Sequence, residues 1–380
     1  MFVANLEQAI WPRMARFTST STTRPALASI LPKKRTLNRI LFDNDSRLTY
    51  SKFIPVLESI YSNLDDPQAI RLPKYVKSFD LMVFKSVLST IRTTTNTINN
   101  NLLDLENELV EQAAELGDND AISMLAFETI DNRLSDKSKV SDDDYKHANK
   151  LIKDLSEIKH PLTFKLAGDL AFKQKYYDQA RDYWLQFTDL ESDTITASHV
   201  YSNLGLYYFS YTNTPDLSLA KKYFLKSIRF GELDKHIIKS HYYLGQIYVL
   251  VEPKLAKYHW EISASRGLKE SFPSLGFLEM NVFQNYSKSL EWFKLGVEAS
   301  QDVTCMIGQF DCYMFLQDFK GAHDILTKMI TINDKIKQVN AKRLQIPKEV
   351  EESMKVNQYL LKTFFNTRQY ELQELPSKLA

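Results

Sequence analysis

The sequence predicts an all-α protein built from stacked helical hairpins, and three recurring observations carry that prediction. A glycine sits in each of four apolar segments after Pro161: Gly168 in LAGDLAF, Gly205 in NLGLYYF, Gly245 in YLGQIYV and Gly276 in SLGFLEM. A second small residue, Ala180, Ala220, Ala256 or Ser289, follows each glycine by 11 to 15 positions. Four positions beyond that stands an aromatic every time: Trp184, Phe224, Trp260 and Phe293. The glycines are 37, 40 and 31 residues apart, periods that bracket tetratricopeptide and related helical-pair repeats. A small residue on the first helix lets the second approach closely, and the ring one turn past the second small residue is expected to fill the space between neighbouring hairpins. No hairpin of this kind buries its apolar face alone, so stacked copies share one core, as in an α-solenoid. A weaker fifth unit runs from Gly308 through Phe310 and Phe319 to Ala322.

Taken in chain order, the first segment is chemically distinct. From Gln8 to Phe42 there are seven basic residues and no acid. Residues 1–42 sum to +6 once Glu7 is counted, which leaves −5 for the rest of a chain whose net charge is +1. Met14–Ile30 is rich in Ser and Thr with spaced arginines, the composition of a mitochondrial import segment, so residues 1–31 are expected to be a targeting leader. A solvated basic tail is the bland alternative. No run of 18 apolar residues occurs, so no transmembrane helix is expected.

Residues 32–144 are expected to form an N-terminal helical region. Pro32–Tyr50 reads as a short helix and a turn at Asp43–Ser46, and helical patterning covers Ser51–Asn63 and Ser78–Ile91. The Thr/Asn-rich stretch Thr93–Asn101 reads as a turn or cap before an amphipathic helix, Leu102–Leu116, which Gly117 ends. Ala121–Ile130 follows as its hairpin partner. Asp131–Asp144 is charged and nearly free of apolar residues, so it reads as a loop, with a solvated acidic run at Asp142, Asp143 and Asp144. Residues 145–335 are expected to hold the repeats, opening with Tyr145–Ile158 and stopping before Pro161. Turns are expected at Thr214–Asp216, Gly231, Glu252–Pro253 and Gly267. Residues 336–380 are expected to be a capping helix, Lys348–Phe365, and a frayed tail.

The sequence offers little to chemistry. Its glycines stand singly inside helical patterns, not in a phosphate-cradling loop, and neither HExxH nor a nucleophile elbow occurs. Cys305 and Cys312 lack neighbouring ligands at metal spacing. On one helix they lie roughly 10 Å apart, too far for a disulfide. His259 occupies the place held elsewhere by Tyr183, Tyr223 and Trp292, which reads as a packing position, and His236 and His241 do not share a helical face. No catalytic residue, cofactor or metal is therefore expected. Nucleic acid is disfavoured because acids and lysines mix along the array; PKKR at Pro32–Arg35 is the one obvious contact for it.

What remains is a helical surface suited to an extended or helical polypeptide. Tyr207, Tyr208, Tyr242, Tyr243 and Tyr248 are the candidate lining, because tyrosine offers large area, little rotamer loss and a polar tip. Part of this set is expected to be core, and the sequence does not sort it.

Several long segments carry a resemblance. PKKRTLNRILFDNDSRLTY at Pro32–Tyr50, AAELGDNDAIS at Ala113–Ser123, LAGDLAF…YYDQARDYW at Leu166–Trp184, SLGFLEMNVFQNYSKSLEWFKLG at Ser274–Gly296 and FDCYMFLQDFKGAHD at Phe310–Asp324 stand in order along the chain. Together they resemble a family of yeast mitochondrial matrix proteins required to export the C-terminal part of cytochrome c oxidase subunit 2. The resemblance implies a helical-repeat protein bound peripherally to the matrix face of the inner membrane. Its partners would be the subunit 2 tail, the inner-membrane insertase and associated export factors, and it brings no catalytic residues. A mitochondrial gene-expression factor binding RNA or the ribosome is the alternative.

Overall fold

The computed structural model describes residues 24–95, 99–342 and 347–379; the leader up to residue 23 lies outside them. Every regular element among the described residues is helical. The chain divides into two compact units, one ending at Leu190 and one beginning at Glu191.

The N-terminal unit opens with α1 (Leu27–Ile30), α2 (Lys34–Asp43) and α3 (Tyr50–Ser62), followed by α4 (Ser78–Thr95) and α5 (Asn100–Glu115). Their apolar faces converge on one core in which Phe53 meets Phe84 edge-on, ring centroids 4.6 Å apart. The threonine run does not break α4, because Thr93 and Thr94 return their hydroxyls to carbonyls of the preceding turn. Asn99 then caps α5, its side chain accepting from the N–H groups of Asn101 and Leu102.

The expected loop at 131–144 is shorter than its composition suggests. Helix α6 (Asn119–Ser135) continues well into it, and α7 (Asp142–Glu157) begins at the acidic run. Arg133 closes the gap by donating to the carbonyls of Lys137 and Val140. Ser141 caps Asp144, so the three aspartates occupy the first turn of α7, where the helix dipole favours negative charge. Pro161 starts α8 (Pro161–Lys173), where its missing N–H costs nothing, and α8 pairs with α9 (Tyr177–Leu190).

The C-terminal unit is four successive hairpins. They are α10 (Ile195–Leu206) with α11 (Leu217–Phe230), α12 (Lys235–Tyr248) with α13 (Pro253–Ser265), α14 (Ser271–Asn281) with α15 (Tyr286–Ser300), and α16 (Val303–Phe315) with α17 (Phe319–Lys342). Side chains of Thr194, Asp216, Asp234, Asn285 and Asp302 accept from the first free N–H groups of α10, α11, α12, α15 and α16. Two more helices, α18 (Lys348–Thr367) and α19 (Gln369–Leu379), pack on α16 and α17. The C-terminal tail is therefore not frayed: α19 runs through 379 and buries Leu375 in the same cluster as Ile336, Leu361 and Phe364.

The small residues and rings of the repeat meet within each hairpin. A Cβ added to Gly168 would lie 2.4 Å from Trp184, and one on Gly205 would lie 2.6 Å from Phe224. The corresponding distances are 2.3 Å for Gly245 against Trp260 and 2.3 Å for Gly276 against Phe293. All four rings are buried, as are Ala180, Ala220, Ala256 and Ser289. Each ring thus seats on the glycine of its own hairpin, where the sequence had suggested a place between hairpins. Phe293 does both, since Gly308 of the next hairpin lies against its other edge. The buried indoles are satisfied: Trp184 donates to Asp169 at 3.1 Å and Trp260 to the carbonyl of Tyr242 at 3.0 Å.

Candidate polypeptide-binding face

The five candidate tyrosines separate into two groups. Tyr207 and Tyr248 are buried. Tyr207 begins a π-helical turn, Tyr207–Tyr211, that turns it inward, and Tyr248 stacks on His259. Tyr208, Tyr242 and Tyr243 are half-buried. Tyr208 lies parallel to Tyr223 with centroids 5.5 Å apart. Tyr243 stacks on Phe224 at 5.4 Å and leans on Phe209 at 5.1 Å, while Tyr242 accepts from the amide of Gln246 at 2.8 Å. Helical spacing puts Lys239, Tyr242, Tyr243 and Gln246 on one face of α12. Phe209 beside α10 and Phe277 of α14 are half-buried and belong to the same cluster.

This face offers rings held in place by buried neighbours, with few fixed charges. Burial raises the Tyr243 hydroxyl above its ordinary pKa, and Tyr242, Tyr211 and Glu270 add to the shift, so Tyr243 stays a neutral hydrogen-bonding group. Half-buried tyrosines of this kind present contact area without losing rotamer freedom on binding.

One functional-looking pair escaped the sequence. His241 of α12 and His259 of α13 face each other inside the second hairpin, Nδ1 to Nδ1 at 2.9 Å, and both are buried. Desolvation pushes each imidazole down to about 4, with the neighbouring ring adding to the shift at His259. With both rings neutral, one donates its Nδ1–H to the bare Nδ1 of the other, a structural link between the paired helices. The residues are 18 positions apart, so only the hairpin's register could have shown the pairing.

Other polar groups are likewise structural. Cys305 and Cys312 are free and buried, and burial raises both thiols above their ordinary pKa, Cys305 the more strongly, against thiolate chemistry. Among the described residues no group of three or more His, Cys, Asp or Glu could hold a metal ion. No described helix is long and apolar enough to cross a membrane.

Paired helices sealed by glycine–ring contacts, with a half-buried aromatic face, define a helical-hairpin repeat protein. Residues 23–118 match the family model described as the MSS2 N-terminal domain. The chain is 39% identical over 330 residues to the mitochondrial protein MSS2 of Saccharomyces cerevisiae, covering 86% of this chain and 93% of that one. The chain belongs to the MSS2 family. Among solved structures it is similar to a Sel1 repeat protein from Oxalobacter formigenes, with 14% identity, TM-score 0.42, and coverage of 65% of this chain and 100% of that one. It is also similar to yeast Tom70, with 12% identity, TM-score 0.41, and coverage of 95% and 69%.

Proposed function

We propose that this chain is a mitochondrial matrix protein, peripherally associated with the inner membrane, that assists passage of the C-terminal tail of cytochrome c oxidase subunit 2 across that membrane. It acts by holding polypeptide and not by catalysis. The observation that carries the reading is the family match, which extends over nearly the whole chain at 39% identity. The half-buried face of Tyr208, Tyr242 and Tyr243 supplies the mechanism: the hydrophilic tail lies extended across the first helices of the hairpins. There its apolar groups meet the rings and its amides meet Gln246 and the tyrosine hydroxyls. An extended chain held in this way cannot collapse before the insertase takes it. Within this scheme residues 1–31 serve import, 145–335 hold the client, and 336–380 close the array.

Pulse-labelling of mitochondrial translation products, followed by protease treatment from the intermembrane side, tests the function. Loss of the protein is expected to leave subunit 2 synthesised at its normal rate with its tail protected in the matrix. Lost synthesis would point to gene expression and overturn the reading. A photo-crosslinking residue at position 243 is expected to capture newly made subunit 2, while one on the exposed side of α17 does not.

A further inference from the structure

Composition and structure draw the end of the leader at different places. By composition the import-like stretch continues to Ile30, because Ser, Thr and arginine recur without an acid through Thr22, Thr23, Arg24 and Ser29. Chain ends are dispensable where neither burial nor hydrogen bonds tie them down. From Arg24 onward this segment is tied down.

Residues 24–31 are fastened to the N-terminal unit by polar and apolar contacts together. The Arg24 guanidinium donates twice to the Asp65 carboxylate, at 2.7 and 2.6 Å, across 41 positions of sequence. That two-pronged geometry fixes direction as well as distance. Asp65 is largely exposed, so the pair orients the chain more than it stabilises it. The Tyr61 hydroxyl of α3 donates to the carbonyl of Pro25 at 2.9 Å, and the Tyr61 ring is itself buried. The Ala26 carbonyl accepts from both the N–H and the hydroxyl of Ser29, which closes the single turn of α1. That turn carries Leu27 into the core shared with Leu37, Leu57 and Tyr61, and Ile30 and Leu31 pack against the same cluster. Removing these residues would uncover part of a core that the rest of the unit does not close. The family domain opens at the same place, at residue 23.

We infer that matrix processing cuts this chain at or N-terminal to the Thr23–Arg24 peptide bond. Residues 24–31 thus belong to the import signal in the precursor and to the folded core in the mature protein. The step is hydrolysis of one backbone amide by a matrix endopeptidase. Water gives its hydroxyl to the new carboxyl end of the leader and a proton to the new amino group of the mature chain. The peptidase meets the chain before it folds, so the fold does not shield later bonds; it penalises their loss. A cut after Leu31 would discard Leu27 and the partners of Asp65 and Tyr61 before the unit could form. The boundary rests on the import reading proposed above and refines it.

N-terminal sequencing of the protein isolated from mitochondria reads the cut directly. The first residue is expected at or before Arg24. A mature chain that starts anywhere from Pro25 onward, or one that keeps the whole leader, overturns the inference. Purified chains beginning at residue 24 and at residue 32 test its cause. The first is expected to melt with the full-length protein, and the second to melt about 10 °C lower or to fail to fold. Leu27→Ala in the longer chain is expected to lower the melting temperature by about 5 °C. Ala28→Ser, on the exposed side of the same turn, should leave it unchanged. Two chains that melt together, with a silent Leu27→Ala, overturn the inference as well. A precursor that never enters mitochondria overturns the proposed function and this step with it. A mature chain that starts by Arg24, with normal tail export in a deletion strain, overturns the proposed function and leaves this boundary standing.

Discussion

Gly245 lies directly beneath the indole of Trp260, so close that a methyl group on it would stand 2.3 Å from Nε1. The same Nε1 donates to the carbonyl of Tyr242, one turn back on the helix that carries Gly245, so retreat of the ring would strain that hydrogen bond.

Gly245→Ala is therefore expected to destabilise the protein. Overpacking of about 1–3 kcal/mol outweighs the about 1 kcal/mol that alanine gains in helix propensity. Combining it with Trp260→Phe, the ring found at the equivalent positions Phe224 and Phe293, should cost less than the two changes added together. Urea titrations of the single and double variants measure the coupling; strict additivity would mean the contact is not the constraint.

Acid should weaken the second hairpin through His241 and His259. Their folded pKa of about 4 lies below the ordinary 6.5, so the stability they contribute is complete above pH 6.5 and is lost as pH falls toward 4. The loss is on the order of 1 kcal/mol per pH unit for each ring. His241→Leu/His259→Leu should flatten the dependence of melting temperature on pH across that window.

Asp311 acts in the opposite sense. Burial raises its carboxyl to about 6, Arg368 pulls it down at 2.9 Å, and Glu371 on the same guanidinium pushes it up. A folded pKa above the usual 3.8 means its contribution is complete below pH 3.8 and is lost as pH rises through about 6. Asp311→Asn should gain on the wild type by about 1–3 kcal/mol between acidic and neutral pH. Arg368→Ala should lose most at neutral pH, where it leaves a buried carboxylate unpaired. Chemical denaturation at both ends of that range provides the comparison.

Thiol labelling reports the packing of α16. Both cysteines are expected to resist a maleimide in the native protein and to react together once denaturant unfolds the unit, because Cys305 and Cys312 are wholly buried. Rapid labelling under native conditions would show that α16 opens on its own.

The terminal helix should matter to stability. Leu375 is 1% exposed within the cluster that α17 and α18 build. Leu375→Ala is expected to cost about 2–3 kcal/mol, and removal of 369–380 should expose Leu361 and Phe364 and lower the melting temperature further.

The sequence alone determined the repeat. Glycine, second small residue and ring recur at helical spacing because close helix approach requires an absent Cβ and a ring to fill the gap, and those demands fall on residue type. The resemblance reached function by the same route, through long segments in fixed order. Local composition misled where long-range partners decide the outcome. The charged stretch at 131–144 kept only a short link, 136–141, because α6 runs on to Ser135 and Arg133 and Ser141 tie the link's ends, and the tail became helix because Leu375 found a core. Which tyrosines keep an accessible side was likewise a tertiary matter: at the π-helical turn Tyr207 is buried and its neighbour Tyr208 is only half-buried. The histidine pair arises only when the two helices of its hairpin come together, since hydrogen bonds depend on distances in space that spacing along the chain does not fix.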